Sequence, residues 1–552
     1  MMSSTKRIAL LSNVTVDLVV AKLRKRYECY IPEGYNAWAM EALNHTAPLY
    51  AEKLDAIVIM LDGTEARAWK SYGEALERVD AWKTATRALI ENTSEIPVFI
   101  TTVDFRVNRI RTLAERSRRT ELENAWYQFV QELAETTGRV YALDLADAIA
   151  DLGRERFYSN KMWYLSGSPY SRDGLAVVAR ELTRALDAAF AQRKKIIALD
   201  LDNTLWGGVV GEDGLEGIQL AEHQEGQRYY DFQRQALEMQ KRGILLAVVS
   251  KNNEDDAMNA LENHPAMTLR PENFVAKKIN WENKARNLQE MARELKLTEG
   301  SFIFVDDNPV EREIVANELP DVDVPPFPDS TELLPFAESL WFDYCRPLRA
   351  LEEDRNKTQM YQAEAARTKA REASVSLEDF LAKLQITVEI HRMRDDELER
   401  VAQLCGKTNQ FNLTTIRYSQ SELAELANRP DCAIYTVRSA DKYGDAGLIA
   451  VLILREEKDS AMRVDSFLMS CRVMGRMIEN VIINEIVNCY REHKVIRARF
   501  IPTAKNAPVK DLYERLGFSL VGEQAASKEY QLDAQRFQYR ENPQFKSIKF
   551  TP

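Results

Sequence analysis

Along the first 190 residues, short apolar runs alternate with longer stretches in which apolar positions recur every three or four residues. RIALLSN, AIVIMLD, PVFITTV and RVYALDL each end on polar residues, as buried parallel strands do. WKSYGEALERVDAWKTATRALIENT and ELENAWYQFVQELAETTG carry the helical period between them. This is an α/β layer pattern. A second such set begins at KKIIALDLDNT and continues with ILLAVVS at 244–250 and SFIFVDD at 301–307. GQRYYDFQRQALEMQKRG and ENKARNLQEMARELKL are its helices. The proline-dense LPDVDVPPFPDSTELLPF marks a boundary near 320–335, and RALEEDRNKTQMYQAEAARTKAREA reads as a charged connecting helix. From about residue 380 the rhythm changes. QITVEIHRM, CAIYTVRS, GLIAVLILRE and RVDSFLMS are strands, followed by a helix at 475–490, the strand VIRARFIP and a helix in KDLYERLGF. That is an α+β order with antiparallel hairpins, one of them turning at DKYGDAG.

Composition narrows the class. A chain of 552 residues, 45% hydrophobic and 29% charged, has apolar material for about three domains. The pattern divides it into 1–193, 194–345, a linker helix at 346–380, and 381–552. A net charge of -11 argues against a protein that sheathes nucleic acid and fits poorly with anionic membranes. Six scattered cysteines, with no CxxC pair and no clustering with histidine, suit a reducing compartment and offer no zinc or haem site. The first residues are apolar only in patches, and no run approaches the length of a membrane span. A cytoplasmic protein is expected.

The sharpest chemical signal is IIALDLDNTLWGG. An apolar strand ends in Asp200, with Asp202 two residues on and a Gly-rich loop after it. Carboxylates at i and i+2 point to the same side at the carboxyl edge, where α/β sheets place their ligands. Two such acids repel unless a cation or a shared proton lies between them. A magnesium ion with oxygen ligands resolves the conflict. Two other strand ends add Ser250, in AVVSKNN, and Asp306 with Asp307, in FIFVDDN. Lys284 opens the helix before that last strand, while Lys277 and Lys278 compete for the role of phosphate-binding lysine.

These motifs, in this order, resemble those of the haloacid-dehalogenase (HAD) phosphotransferase superfamily. The resemblance implies that Asp200 is nucleophile and Mg2+ ligand, and that Asp202 is general acid/base and a ligand through its carbonyl oxygen. It implies that Asp306 completes the metal site with help from Asp307. Asn203, Thr204, Gly207, Gly208, Ser250, Lys251 and Lys284 would then contact substrate. Trp206 with the two glycines reads either as a flap or, for the tryptophan, as packing.

The first domain resembles a flavodoxin-like esterase fold of the SGNH type, without the residues for activity. Ser12 follows the first strand, but His45 is the only histidine before residue 190, and SPYSRDG holds none. A scaffold or binding role follows. The last domain resembles the acetyltransferase-like GNAT fold. CRVMGR, with Arg472 and Gly475, approximates the turn that cradles a pantetheine arm, although Met477 stands where that motif has a small residue. Asn506, Tyr513, Gly517 and Phe518 match later features of the family. Cys471 lies beside Arg472 and Arg476 and ahead of an expected helix N-terminus, a setting that favours thiolate; a buried packing thiol is the other reading. KTNQFNLTT at 407–415 is either a capped loop or a binding surface.

Taken together, LSNVTVD, DLDNTLWGG, INWENKARN, FVDDNP, VDVPPFPDSTELLP, KTNQFNLTT and SCRVMGR resemble the FkbH-like family over nearly the whole chain. The resemblance implies a glyceryl transferase/phosphatase that takes 1,3-bisphosphoglycerate and leaves a glyceryl thioester on an acyl carrier protein in polyketide or related biosynthesis. Cys471 would be the covalent acyl acceptor. A plain phosphatase with a structural last domain, and a docking protein with a residual metal site, are the rival readings.

Overall fold

The computed structural model describes residues 5–93, 95–106, 117–191, 193–348, 357–457, 459–524 and 527–552. Part of the expected linker, residues 349–356, lies outside them. The fold class is the expected one, α/β with an α+β last part. Two compact units divide the chain: Met1–Arg242 with His264–Thr268 and Glu299–Leu351, and Gly243–Asn263 with Leu269–Thr298 and Glu352–Pro552.

In the first unit, β1 (Lys6–Leu11), β2 (Tyr27–Tyr30), β3 (Ala56–Ile59), β4 (Val98–Thr101) and β5 (Val140–Leu143) form a parallel sheet in the order 2-1-3-4-5. This is the flavodoxin-like order. β3 and β4 are buried throughout, because helices cover both faces. The helix Tyr72–Asn92 starts where the Ser71 hydroxyl accepts from the Glu74 N–H, and it buries Val79, Trp82 and Leu89. On the other face, helix Arg172–Phe190 is capped by Ser171 and buries Val178, Leu182 and Leu186.

Four more parallel strands follow: β6 (Ile196–Leu199), β7 (Leu245–Ser250), β8 (Phe274–Ile279) and β9 (Phe302–Val305). β6 pairs with β9 in the first unit, and β7 with β8 in the second. Every residue of β6, β7 and β9 is buried.

The rest of the second unit is an eight-stranded sheet. Its strands are β10 (Ile386–Arg392), β11 (Cys432–Asp441), β12 (Gly444–Glu456), β13 (Met462–Met469), β14 (Val495–Phe500), β15 (Ser519–Gln524), β16 (Ser527–Asp533) and β17 (Phe545–Thr551). Their order is 15-16-14-13-12-11-10-17. β10 to β13 are antiparallel neighbours, as the hairpin pattern implies. β13 and β14 are parallel and pair only from Met462–Val464 to Ile496–Ala498. Beyond that they part, and the chain's own Phe411–Leu413 enters the gap. The Leu413 N–H donates to Phe467 O at 3.1 Å, the Met469 N–H to Phe411 O at 2.9 Å, and the Ile501 N–H to Leu413 O at 2.8 Å. Asn506 brackets the insertion, its amide donating to Asn412 O at 3.0 Å and Ile501 O at 2.9 Å. Beyond Lys407 the polar segment 407–415 is a loop braced by Asn412, whose Oδ1 accepts from the Thr415 N–H at 2.8 Å, and its backbone is bonded on both sides at Phe411–Leu413. It completes the sheet where two strands diverge.

The helix Lys357–Glu372 packs on β7, β8 and β12. Among the described residues, no helix is long and apolar enough to cross a membrane.

Candidate active site

The register of β6 on β9 builds the carboxylate site. Leu199 is opposite Val305, so the next residues along, Asp200 and Asp306, emerge side by side. The Asp200 N–H donates to Val305 O at 2.9 Å, extending the ladder to the aspartate itself. Asp306 is fully buried and Asp200 nearly so. One carboxylate oxygen each from Asp200, Asp306 and Asp307 lies within 4.8 Å of the others. Three acids so close, two of them buried, repel strongly unless a cation balances them. Hard oxygen donors gathered at one point suit a divalent ion such as Mg2+. The residues fit the expected metal. Asp306 is held by the Asn308 N–H, which donates to its Oδ1 at 2.9 Å. The Arg312 guanidinium donates to the carbonyls of Asp306 and Asp307, at 2.7 Å each.

Asp202 behaves differently. Its carboxylate is not one of the three, and its Oδ1 accepts from the Trp206 indole N–H at 2.8 Å and the Val210 N–H at 3.0 Å. The loop that follows braces itself. Asn203 takes a left-handed conformation, φ 54°, and its Oδ1 accepts from the Gly208 N–H at 2.9 Å. Gly208 has φ 91°, a conformation that favours glycine. Gly207 exchanges two backbone bonds with Gln219 and lies so close to Tyr229 that a Cβ would come within 2.8 Å of its ring. Trp206 is fully buried. That burial suits a ring packed within the domain, and its N–H is at the same time bonded to Asp202. Thr204 is buried as well, with no hydrogen-bond partner for its hydroxyl among the described residues.

Ser250, Lys251 and Lys284 stand on the second unit. Ser250 is the buried last residue of β7, and the half-buried Lys251 follows it. Lys284 opens helix Lys284–Glu294, whose N-cap Asn283 accepts from the N–H groups of Ala285 and Arg286. Of the three competing lysines, Lys284 alone is buried. Lys277 reaches the Pro271 carbonyl at 3.2 Å, and Lys278 pairs with Glu294 at 2.7 Å and Glu290 at 3.3 Å.

Cys471, Arg472 and Gly475 share one loop after β13. Cys471 is exposed, whereas Cys345, Cys405 and Cys432 are buried, which removes the packing reading. Burial pushes the Cys405 thiol up to about 11 and Cys345 to about 12. Two supports expected for a thiolate at Cys471 are corrected. Cys471 opens a short 3-10 turn, Cys471–Val473, and the expected helix begins only at Ile478, seven positions on. Arg476 is buried and bound elsewhere, to Glu364 at 3.1 Å, Asp441 at 3.2 Å and the Arg472 carbonyl at 2.9 Å. Arg472 is only partly buried, and its Nε donates to the hydroxyl of Ser470, the residue before the cysteine, at 3.2 Å. Gly475 has φ 79° with open space around it, so the turn needs its conformation rather than its size.

In the first unit, the Ser12 hydroxyl accepts from the Val14 N–H at 3.3 Å, and His45 lies exposed in the loop after helix Trp38–Leu43. Ser171 of SPYSRDG serves as a helix cap.

No family model matches the chain, and no curated protein matches it. Among solved structures, the chain is similar to the N-terminal part of the protein BF1531 from Bacteroides fragilis, containing a phosphatase domain complexed with Mg. Identity is 25% and the TM-score 0.57, over 62% of this chain and 94% of that one. The chain also aligns with the ribosomal-protein-S18-alanine N-acetyltransferase from Escherichia coli, at 10% identity and a TM-score of 0.22, over 28% of this chain and 99% of that one. The spermidine N-acetyltransferase from Vibrio cholerae in complex with CoA and spermine aligns at 17% and 0.23, over 28% and 97%. At those TM-scores the last two carry no argument.

Proposed function

We propose that the chain is a magnesium-dependent phosphatase and glyceryl transferase of the FkbH-like kind, taking 1,3-bisphosphoglycerate and loading an acyl carrier protein in the cytoplasm. The observation that carries the phosphatase half is the strand register that sets Asp200 beside Asp306, with Asp307 inside 4.8 Å. The likeness to a phosphatase domain complexed with Mg supports it.

In this reading the Asp200 carboxylate attacks phosphorus, the P–O bond to the leaving oxygen breaks, and Asp202 gives that oxygen a proton. Asp202 then takes a proton from water, whose oxygen attacks the aspartyl phosphate and frees Asp200. Asp306 and Asp307 would hold Mg2+ with Asp200, and the ion would supply positive charge against the phosphoryl oxygens. Cys471 attacks the carbon of the acyl phosphate, expelling phosphate, and hands the acyl group to the carrier's pantetheine thiol. Arg472 lies beside it to meet the departing phosphate.

The test is the intact mass of a carrier protein after incubation with enzyme, Mg2+ and 1,3-bisphosphoglycerate. A glyceryl increment supports the reading, and an unchanged carrier with phosphate still released leaves the plain phosphatase. That second reading has an observation on its side. The gap between β13 and β14 is filled by Phe411–Leu413, and Tyr513 is fully buried beside Phe518 and Tyr530 in the apolar core.

A further inference from the structure

Asp202 serves one purpose in the proposed chemistry, moving a proton, and a carboxylate does that only when it is held in one orientation. Its Oδ1 accepts two N–H groups, from the Trp206 indole at 2.8 Å and from the Val210 backbone at 3.0 Å. The Val210 N–H belongs to the first turn of helix Val210–Gly217 and comes with the fold. The indole N–H is a choice of side chain. Trp206 is fully buried, and residues 202 and 206 form an isolated bridge that fixes their backbones relative to each other. Leu205, next to it, is tied down by the buried Gln233, whose amide donates to the Leu205 carbonyl at 2.8 Å. The ring is thus clamped on both sides of its own position, and its polar edge meets the one carboxylate that the metal cluster leaves out.

We propose that Trp206 is a positioning residue for Asp202, fixing the carboxyl so that it transfers a proton to the leaving oxygen. The inference rests on the phosphatase reading above. A buried tryptophan that only packs affects every substrate alike. One that orients a general acid matters where the leaving oxygen needs a proton as the P–O bond breaks, and little where it does not. Trp206→Phe keeps most of the apolar volume and removes the N–H.

Read as release of the leaving group in a single turnover, ahead of the water step common to every substrate, the Phe variant should lose about tenfold in rate on an alkyl phosphate such as glycerol 3-phosphate and less than about twofold on p-nitrophenyl phosphate, whose phenolate departs unprotonated. Asp202→Asn is the benchmark. It should show the same dependence on leaving group, with a loss of about 100-fold or more on the alkyl ester. Should the Phe variant not fold, 3-benzothienylalanine at position 206 keeps the bicyclic shape and lacks only the N–H. Equal losses on both substrates, or none on either, would make Trp206 a packing residue and overturn the inference. If Asp202→Asn itself keeps full alkyl phosphatase activity, the failure lies in the role given to Asp202.

Discussion

The aspartate site and the thiol loop are built on opposite plans. Asp200 and Asp306 are buried, aligned by two buried strands and held from the backbone. Their geometry follows from strand register, and a register is hard to perturb without unfolding the sheet. Cys471 is exposed in a loop whose shape depends on side chains from elsewhere in the chain. Arg476 braces that loop from inside, bonded to the Arg472 carbonyl and to two carboxylates, Asp441 from the β11–β12 turn and Glu364 from helix Lys357–Glu372. Glu364 also pairs with Lys296, just past helix Lys284–Glu294, at 3.0 Å. The first site is rigid by topology and the second by a network of charges. Rigid placement suits a metal, which tolerates little displacement. A loop would suit a thiol that, in the proposed function, meets two partners in turn, a small acyl phosphate and a long carrier arm.

The comparison is sharpest where the two sites are removed one at a time. Asp200→Asn should lower phosphate release by about 10³-fold or more with the fold intact, because an amide neither attacks phosphorus nor balances the metal. EDTA should do the same to the unaltered enzyme, and Mg2+ should restore it. Release near the normal rate in a phosphate assay would sink the nucleophile assignment. Cys471→Ala should leave turnover of a simple monoester within about twofold while abolishing carrier loading and the hydroxylamine-sensitive adduct on the peptide holding Cys471. Cys489, also exposed but at the end of helix Ile478–Cys489, is the internal control and should carry no such adduct. Loading by the alanine variant at the usual rate would mean that the acyl group passes directly to pantetheine.

A smaller effect tests whether the charge network shapes the thiol loop. Glu364→Gln keeps the size of the side chain and removes the charge that Arg476 and Lys296 share. Arg476 and Arg367 are buried, so the variant leaves Asp441 to balance both. Carrier loading should fall about fivefold and the melting temperature by a few degrees, with monoester turnover unchanged. An equal drop in both activities would show that Glu364 supports the unit as a whole rather than the loop.

The strands that carry chemistry were legible in the sequence because they are also the most buried. Leu199 and Val305 end unbroken apolar runs, and an acid directly after such a run announces a strand end. β2 and β8 were missed for the converse reason. YECY is half exposed at the sheet edge, and FVAKKI carries two lysines in mid-strand, so neither shows an apolar run. β15 to β17 show no apolar run either: Leu520 and Val521 of β15 are exposed, β16 buries only Tyr530 and Leu532, and β17 only Phe545. At the site, the acids could be placed from spacing alone, but Trp206 could not. Whether an indole packs or donates depends on what lies beside it, and its partner four residues earlier is reached only through a turn. The roles of Arg472 and Arg476 were indistinguishable for the same reason. Their separation rests on Glu364, more than a hundred positions away.

The smallest effect belongs to the first domain, where the wild-type and variant enzymes should be indistinguishable. A serine becomes a nucleophile only when a base takes its proton, and the base must stand within hydrogen-bond reach. Ser12 ends up at the carboxyl edge of β1, where ligands of such sheets bind, so its position alone would invite an esterase reading. Its hydroxyl accepts from the Val14 N–H, a bond that braces the turn and does nothing to ionise it. His45 is exposed in a separate loop, and Ser171 in the late segment caps a helix. Nearby Asp62 is held by Asn13 and Thr64, and burial pushes its carboxyl up to about 6. A carboxylate can orient a base but does not replace one here. Ser12→Ala should therefore change both phosphate release and carrier loading by less than about twofold, and residues 1–190 within the full chain should add no hydrolysis of short acyl esters. Ester hydrolysis by the full chain that disappears in the Ser12→Ala variant would overturn this, and would give the enzyme a third reaction centre.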